Sequence, residues 1–125
     1  MSVHNKRVGL IGENAAIAYL QDRGYSIIGR NIYTRWGELD IVAKKKNKIS
    51  FTEVKTKIGD KKGRPHEAFT RIKLQHVRRA IEYYLLKNRL REHKLSLDVI
   101  SVLLDQDFSV NSINFFEGLD ITGRW

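Results

Sequence analysis

The stretch from Gly37 to Lys55, GELDIVAKKKNKISFTEVK, reads as two strands and the turn between them. Glu38 to Ala43 and Lys48 to Thr56 carry the strand-forming residues, and Lys44-Lys45-Lys46-Asn47 is a polar connection short enough for a hairpin. Side chains two apart on a strand share a face, so Glu53 and Lys55 point the same way, together with Ile49 and Phe51. Asp40 and Val42 likewise share a face of the other strand. A loop of two or four residues pairs Lys45 with Lys48 or Lys44 with Ile49, and either pairing sets Asp40 directly opposite Glu53. Opposed side chains have Cβ atoms about 4.5–5.5 Å apart, a range at which two like charges destabilise a sheet.

Outward from this hairpin the chain alternates helix and strand. From about Arg7 to Arg23 the residues Val8, Ile11, Ala15, Ala18 and Tyr19 fall at helical spacing, with Gly24 as the stop. Tyr25 to Asn31 reads as a short strand, followed by a turn region ending at Gly37. Downstream, Lys57 to Pro65 has the glycine-rich, basic composition of a mobile loop. A second helix follows, capped by Thr70, with Leu74, Val77, Ile81, Tyr84 and Leu85 on one face. Leu97 to Leu104 suits a strand covered on both sides, and Val110 to Phe116 supplies the last strand. The order helix, three strands, helix, two strands predicts an α/β fold, with residues 1–125 forming one domain. Its mixed five-stranded sheet is flanked by helices, and a right-handed crossover sets the fourth strand parallel to an earlier one.

Composition narrows the function. The chain has 125 residues, and 23 Lys and Arg against 14 Asp and Glu leave a net charge of +9. Such an excess steers polyanions, nucleic acid foremost. Anionic membrane is the weaker alternative, resting only on Arg71, Arg78 and Arg79 of the second helix. Cysteine is absent, which excludes disulfides, thiolate zinc sites and a cysteine nucleophile, so any metal ligands are oxygen or histidine. The N-terminus lacks the apolar core of a secretory signal and no apolar run has membrane-spanning length, which predicts a cytoplasmic protein without a membrane partner.

A divalent cation would offset the carboxylates of Asp40 and Glu53, since hard Mg²⁺ (or Mn²⁺) takes a few carboxylates plus waters and phosphate oxygens. Lys55, on the same face, is placed to help deprotonate water or to stabilise charge on a phosphate. Glu13 is the only charged residue between Arg7 and Asp22 and has apolar helical neighbours, so it needs a partner. The metal is one candidate and Arg30 another. For Asp40 and Glu53 the competing reading is a solvated pair, or Glu53 paired with Lys55. Lys57, Lys61, Lys62 and Arg64 follow Glu53 and Lys55 directly and are candidates for gripping phosphates without reading sequence. Lys73 is a further phosphate candidate, weighed against a lysine covering apolar surface. Asp98 requires a partner if buried, and strand-end exposure would explain it equally. The four histidines show no mutual ligand spacing, and only His66 lies near the basic loop. Trp36 and Trp125 are candidates for base stacking, although packing is the commoner role of tryptophan.

Asp40 followed by Glu53-Val54-Lys55 resembles the core of the PD-(D/E)xK nuclease superfamily. A wider set of residues carries a more specific resemblance: Gly12-Glu13 with Ala16, Tyr19-Leu20, Gly24-Tyr25, Arg30-Asn31, Gly37-Glu38-Leu39-Asp40, Phe51 with Glu53 and Lys55, Gly63 with Pro65, Glu67 and Ala68, Lys73, and Leu97-Asp98-Val99. Together these look like the YraN family of small nuclease-like proteins, over nearly the whole chain. The resemblance implies a restriction-endonuclease-like fold, similarity to archaeal Holliday-junction resolvases, and metal-dependent cleavage of phosphodiester bonds in DNA, including branched DNA. It implies that Glu13, Asp40 and Glu53 hold the metal with a main-chain carbonyl near Val54, and that Lys55 prepares the attacking water. Thr52 departs from the pattern, which has a hydrophobic residue there, and Leu39 replaces isoleucine. The rival function is a binding module that works with partners in DNA uptake, repair or recombination. A homodimer would suit junction cutting, and no residue pattern demands one.

Overall fold

The computed structural model describes residues 3–59 and 69–120. Within them the elements run α1 (Val3–Asp22), β1 (Ser26–Thr34), β2 (Gly37–Lys45), β3 (Lys48–Ile58), α2 (Arg71–Lys87), β4 (Lys94–Leu104) and β5 (Val110–Phe116). The α/β class and the mixed five-stranded sheet agree with the sequence expectation. Spatial order follows chain order, β1-β2-β3-β4-β5, and only β3 and β4 are parallel.

Local chemistry explains the boundaries. Helix α1 stops at Gly24, whose φ of 91° suits glycine, and the N–H of Tyr25 returns to the Leu20 carbonyl at 3.0 Å. Helix α2 starts at Thr70, whose hydroxyl accepts from the Lys73 N–H at 3.0 Å. Several boundaries differ from the sequence reading: α1 starts at Val3, and β2 runs to Lys45, which shortens the hairpin connection to Lys46-Asn47. Strand β1 runs to Thr34, because a bulge between Ile27 and Gly29 and a left-handed Asn31 (φ 50°) bend it while its pairing with β2 continues to Thr34–Gly37. Only Arg35 and Trp36 form the turn. Strand β3 keeps Lys57 and Ile58, which pair with Leu103 and Leu104, so Lys57 belongs to the sheet and not to a loop. Strand β4 starts early, where Lys94 pairs with Lys48. Lys61, Lys62, Arg64, His66 and Trp125 lie outside the described residues, as does the Gly63–Ala68 part of the motif set.

The sheet separates two apolar layers. On one face α2 buries Leu74, Val77, Ala80, Ile81, Tyr84 and Leu85 against Val42, Ile49, Phe51, Leu97 and Val99. On the other, Ala16 and Leu20 of α1 pack with Ile41, Ala43, Ile100, Val102 and Leu104. Alternation thus holds along β3 and β4, and Glu53 and Lys55 lie on the α2 side with Phe51. Strand β2 breaks it. Leu39 packs in the α2 layer while Ile41, two residues on, packs in the α1 layer, so the pleat is kinked at Asp40. Asp40 therefore does not simply share the face of Val42.

No helix among the described residues is long and apolar enough to cross a membrane.

Candidate acidic site

The hairpin connection is the two residues Lys46 and Asn47, and Lys45 pairs with Lys48. This register, continued along the strands, brings Asp40 opposite Glu53. Backbone pairing between β2 and β3 runs only as far as Ile41–Thr52. At the kink the carboxylate of Asp40 turns into the gap and accepts the Val54 N–H at 2.9 Å. A side chain has taken a donor that strand pairing leaves open, and this anchors Asp40 beside Glu53.

Glu53 is 6% exposed, in the closed crevice formed by Leu39, Asp40, Ile41, Phe51, Thr52, Val77 and Leu97. Its carboxyl pKa is raised from 4.5 to about 9, first by burial, then by a hydrogen bond with Asp40 and by that residue's charge. Lys73 opposes the shift and Glu38 adds to it. Among the described residues Glu53 makes no ion pair. Burial and the neighbouring Asp40 thus favour the protonated form of Glu53.

Asp40 also lines an open cavity of about 600 Å³ on the α1 side, together with Glu13, Glu38, Lys6, Asn31, Val54 and Thr56. Gly12 makes this approach of α1 to the sheet feasible. A Cβ there would lie 1.8 Å from the Thr56 hydroxyl, so only glycine lets the next residue, Glu13, come this close to β3. Glu13 is not free within the cavity: Arg30 donates to it through Nε at 2.8 Å and to Asn14 through Nη2 at 2.7 Å. Among the described residues no three His, Asp or Glu side chains converge as a metal-holding group. The structure brings Asp40 and Glu53 together and leaves Glu13 paired with Arg30 on the α1-side cavity, which Asp40 lines and Glu53 does not.

Lys55 is half-buried, two residues beyond Glu53, opposite Ser101 of β4, and makes no ion pair among the described residues. Lys57 follows on the same face. Lys73 is exposed, lies 5.7 Å from the Phe69 ring centroid, and its charge acts on Glu53. Glu38 was not among the sequence candidates. Its carboxyl is raised by burial and by the charges of Asp40 and Glu13. The available signal was its position two residues before Asp40, at the edge of the same kink. The oxygen-only set, Asp40 and Glu53 without cysteine or histidine, fits a hard divalent cation.

Asp98 belongs elsewhere. It is fully buried and accepts from Ser96 Oγ at 2.6 Å, from the Gly118 N–H at 2.9 Å and from Ser50 Oγ. Ser50 in turn lies 2.7 Å from the Thr52 hydroxyl. The polar Thr52 beside Glu53 thus completes a buried network that ties β3 to β4 and to the chain after β5.

The model of the family described as "Uncharacterised protein family UPF0102" matches residues 12–102. Among similar proteins, a UPF0102 protein of Syntrophomonas wolfei is 41% identical over 101 residues, covering 81% of this chain and 88% of that relative. One from Alkaliphilus oremlandii is 42% identical over 110 residues, covering 86% and 94%. One from Acetivibrio thermocellus is 37% identical over 119 residues, covering 91% and 92%.

Proposed function

We propose that this chain, which belongs to the UPF0102 family, is a nuclease-like protein that cleaves phosphodiester bonds in DNA with the help of Mg²⁺ or Mn²⁺. One observation carries the reading: Asp40, held by the Val54 N–H, is pressed against the buried Glu53 at the point where two strands part. Unpaired carboxylates so placed weaken a sheet, and a site for a divalent cation gives the arrangement a use. The α-β-β-β-α-β-β order and the acid-x-lysine spacing of Glu53 and Lys55 support a restriction-endonuclease-like fold and the YraN-like resemblance.

Asp40 and Glu53 would hold the cation, with the main-chain carbonyl of Val54 as a further ligand and Glu13 joining on release from Arg30. When bound, the cation supplies Lewis-acid charge at the scissile phosphate. Lys55 would orient the attacking water or steady charge on the phosphate, from a half-buried position that limits competing solvent. Lys57 and Lys73 would hold neighbouring phosphates, and Lys61, Lys62 and Arg64 extend the basic run in sequence.

A second reading has its own observation. The Glu13–Arg30 ion pair, and the lack of a three-acid group among the described residues, favour a DNA-binding module that acts with partners and does not cut. Wild type, Glu53→Ala and Lys55→Ala incubated with linear and branched DNA in Mg²⁺, Mn²⁺ or EDTA separate the two. Cutting by wild type alone, and only with metal, supports the nuclease. Equal DNA binding by all three with no cutting under any condition leaves the module.

A further inference from the structure

The tip of the β1–β2 hairpin and the edge of α2 enclose a groove that the acidic site does not use. Its lining includes Tyr33, Arg35, Tyr83 and Lys87, in a volume of about 490 Å³ and with no acidic residue among the described residues. Tyr33 is 78% exposed and Tyr83 41%. The tip is held in shape by Thr34, whose hydroxyl accepts the Trp36 N–H at 3.1 Å and donates to the Gly37 carbonyl at 2.7 Å. Trp36 and Tyr83 lie 5.8 Å apart between ring centroids. Each of these two rings carries a cation: Arg35 lies 5.1 Å from the Trp36 centroid and Lys87 5.7 Å from that of Tyr83.

Trp36, the ring neighbour of Tyr83, lines a second cavity of about 330 Å³ with Glu38, Lys73 and His76, and Val77 of that cavity also lines the crevice of Glu53. Two neighbouring rings, Trp36 and Tyr83, that each carry a cation, beside an exposed Tyr33, match a ligand that alternates flat faces with negative charges. Nucleic acid has that form, and only an unpaired strand offers free base faces, because a duplex hides them in its stack. A protein segment would need no phosphate partners, so Arg35 and Lys87 together with the rings favour the strand.

We propose that this groove holds an unpaired DNA strand, its bases against Tyr33, Trp36 and Tyr83 and its phosphates against Arg35 and Lys87, and directs it past Lys73 to the Asp40–Glu53 pair. This rests on DNA being the substrate and adds that the site takes a strand next to an unpaired region. It deepens the nuclease reading, yet binding in the groove is measurable without cutting.

The test is fluorescence anisotropy of the full chain in EDTA, with labelled oligothymidine of about 20 nucleotides, a blunt duplex of equal length and an oligouridine. Tyr33→Ala with Tyr83→Ala is expected to weaken oligothymidine binding by about tenfold or more and to change duplex binding little. Tyr33→Phe with Tyr83→Phe keeps the rings and is expected to keep the affinity, which guards against a merely misfolded variant. Arg35→Ala with Lys87→Ala is compared with Lys45→Ala with Lys94→Ala, a change of equal charge at the opposite end of the sheet. A larger loss from the first pair supports the groove. Equal losses, duplex binding as tight as single strand, tighter binding of oligouridine, or no binding of any form overturns the proposal. If the rings matter for binding but Mn²⁺ brings no cutting, the nuclease reading alone fails. If cutting persists while binding ignores the rings, the groove alone fails.

Discussion

The carboxylate of Asp40 accepts the main-chain N–H of Val54 at 2.9 Å, at the place where β2 stops pairing with β3. The bond does two things. It caps a strand donor that would otherwise be open, and it fixes one acid beside Glu53 without consuming the second oxygen of Asp40. A carboxylate set this way is held by backbone, which is the rigidity a cation site needs.

The buried acid makes stability depend on pH with a definite sign. Glu53 has a folded pKa of about 9 against an ordinary 4.5, so between these values the folded chain holds a proton that the unfolded chain has lost. The stability this provides is complete below about 4.5 and is lost as pH rises through about 9. In EDTA, urea unfolding of wild type relative to Glu53→Gln should show a falling midpoint across that window. A constant difference between the two proteins would contradict the assignment.

Replacing Gly12 by alanine places a Cβ at 1.8 Å from the Thr56 hydroxyl, so α1 has to move away from β3. The expected cost is about 1–3 kcal/mol, as for other overpacked contacts. Thr56→Ala on the same chain removes the nearest atoms and should restore part of it. Chemical denaturation of the two single variants and the double variant checks this, and strict additivity would deny the contact.

Asp98→Ala removes a carboxylate that serves Ser50, Ser96 and the Gly118 N–H. Leaving such buried donors unsatisfied should cost about 3 kcal/mol or more. Cation affinity should stay within about twofold of wild type, because the network lies on the other face of β3 from Glu53. Thermal melts with and without Mn²⁺ report both quantities, and a selective loss of the Mn²⁺ response would place Asp98 in the site after all.

Arg30→Ala breaks the 2.8 Å bond to Glu13 and leaves that carboxylate free on the cavity of Asp40. With a third acid available, Mn²⁺ affinity should strengthen by up to roughly tenfold. Unchanged affinity would mean that Glu13 serves only as the partner of Arg30.

Much of this was legible in the sequence. A loop of either two or four residues within Lys44–Asn47 gives one register, and Ile49 and Phe51 mark the side on which Glu53 and Lys55 lie, so strand geometry already set Asp40 opposite Glu53. Thr70 as a cap and Gly24 as a stop are equally local. What escaped the sequence depends on tertiary contacts. The kink at Asp40 arises where Leu39 and Ile41 are drawn into opposite layers, and no periodicity within six residues records that. The length of β1 rests on a bulge and a left-handed Asn31, which read as a strand end. Lys57 counted as loop because glycines and lysines follow from Gly59 on, but pairing to Leu103 holds it in the sheet. Arg30 was named as one partner for Glu13, and the packing of β1 beside α1 brings the two together.

The central claim is that Asp40 and Glu53 form one cation-holding unit. Isothermal titration of Mn²⁺ into wild type, Asp40→Asn and Glu53→Gln, in the presence of uncleavable DNA, measures it directly. The account predicts saturable uptake by wild type that either substitution abolishes. Uptake of equal heat and affinity by all three proteins, or none by wild type, would contradict it.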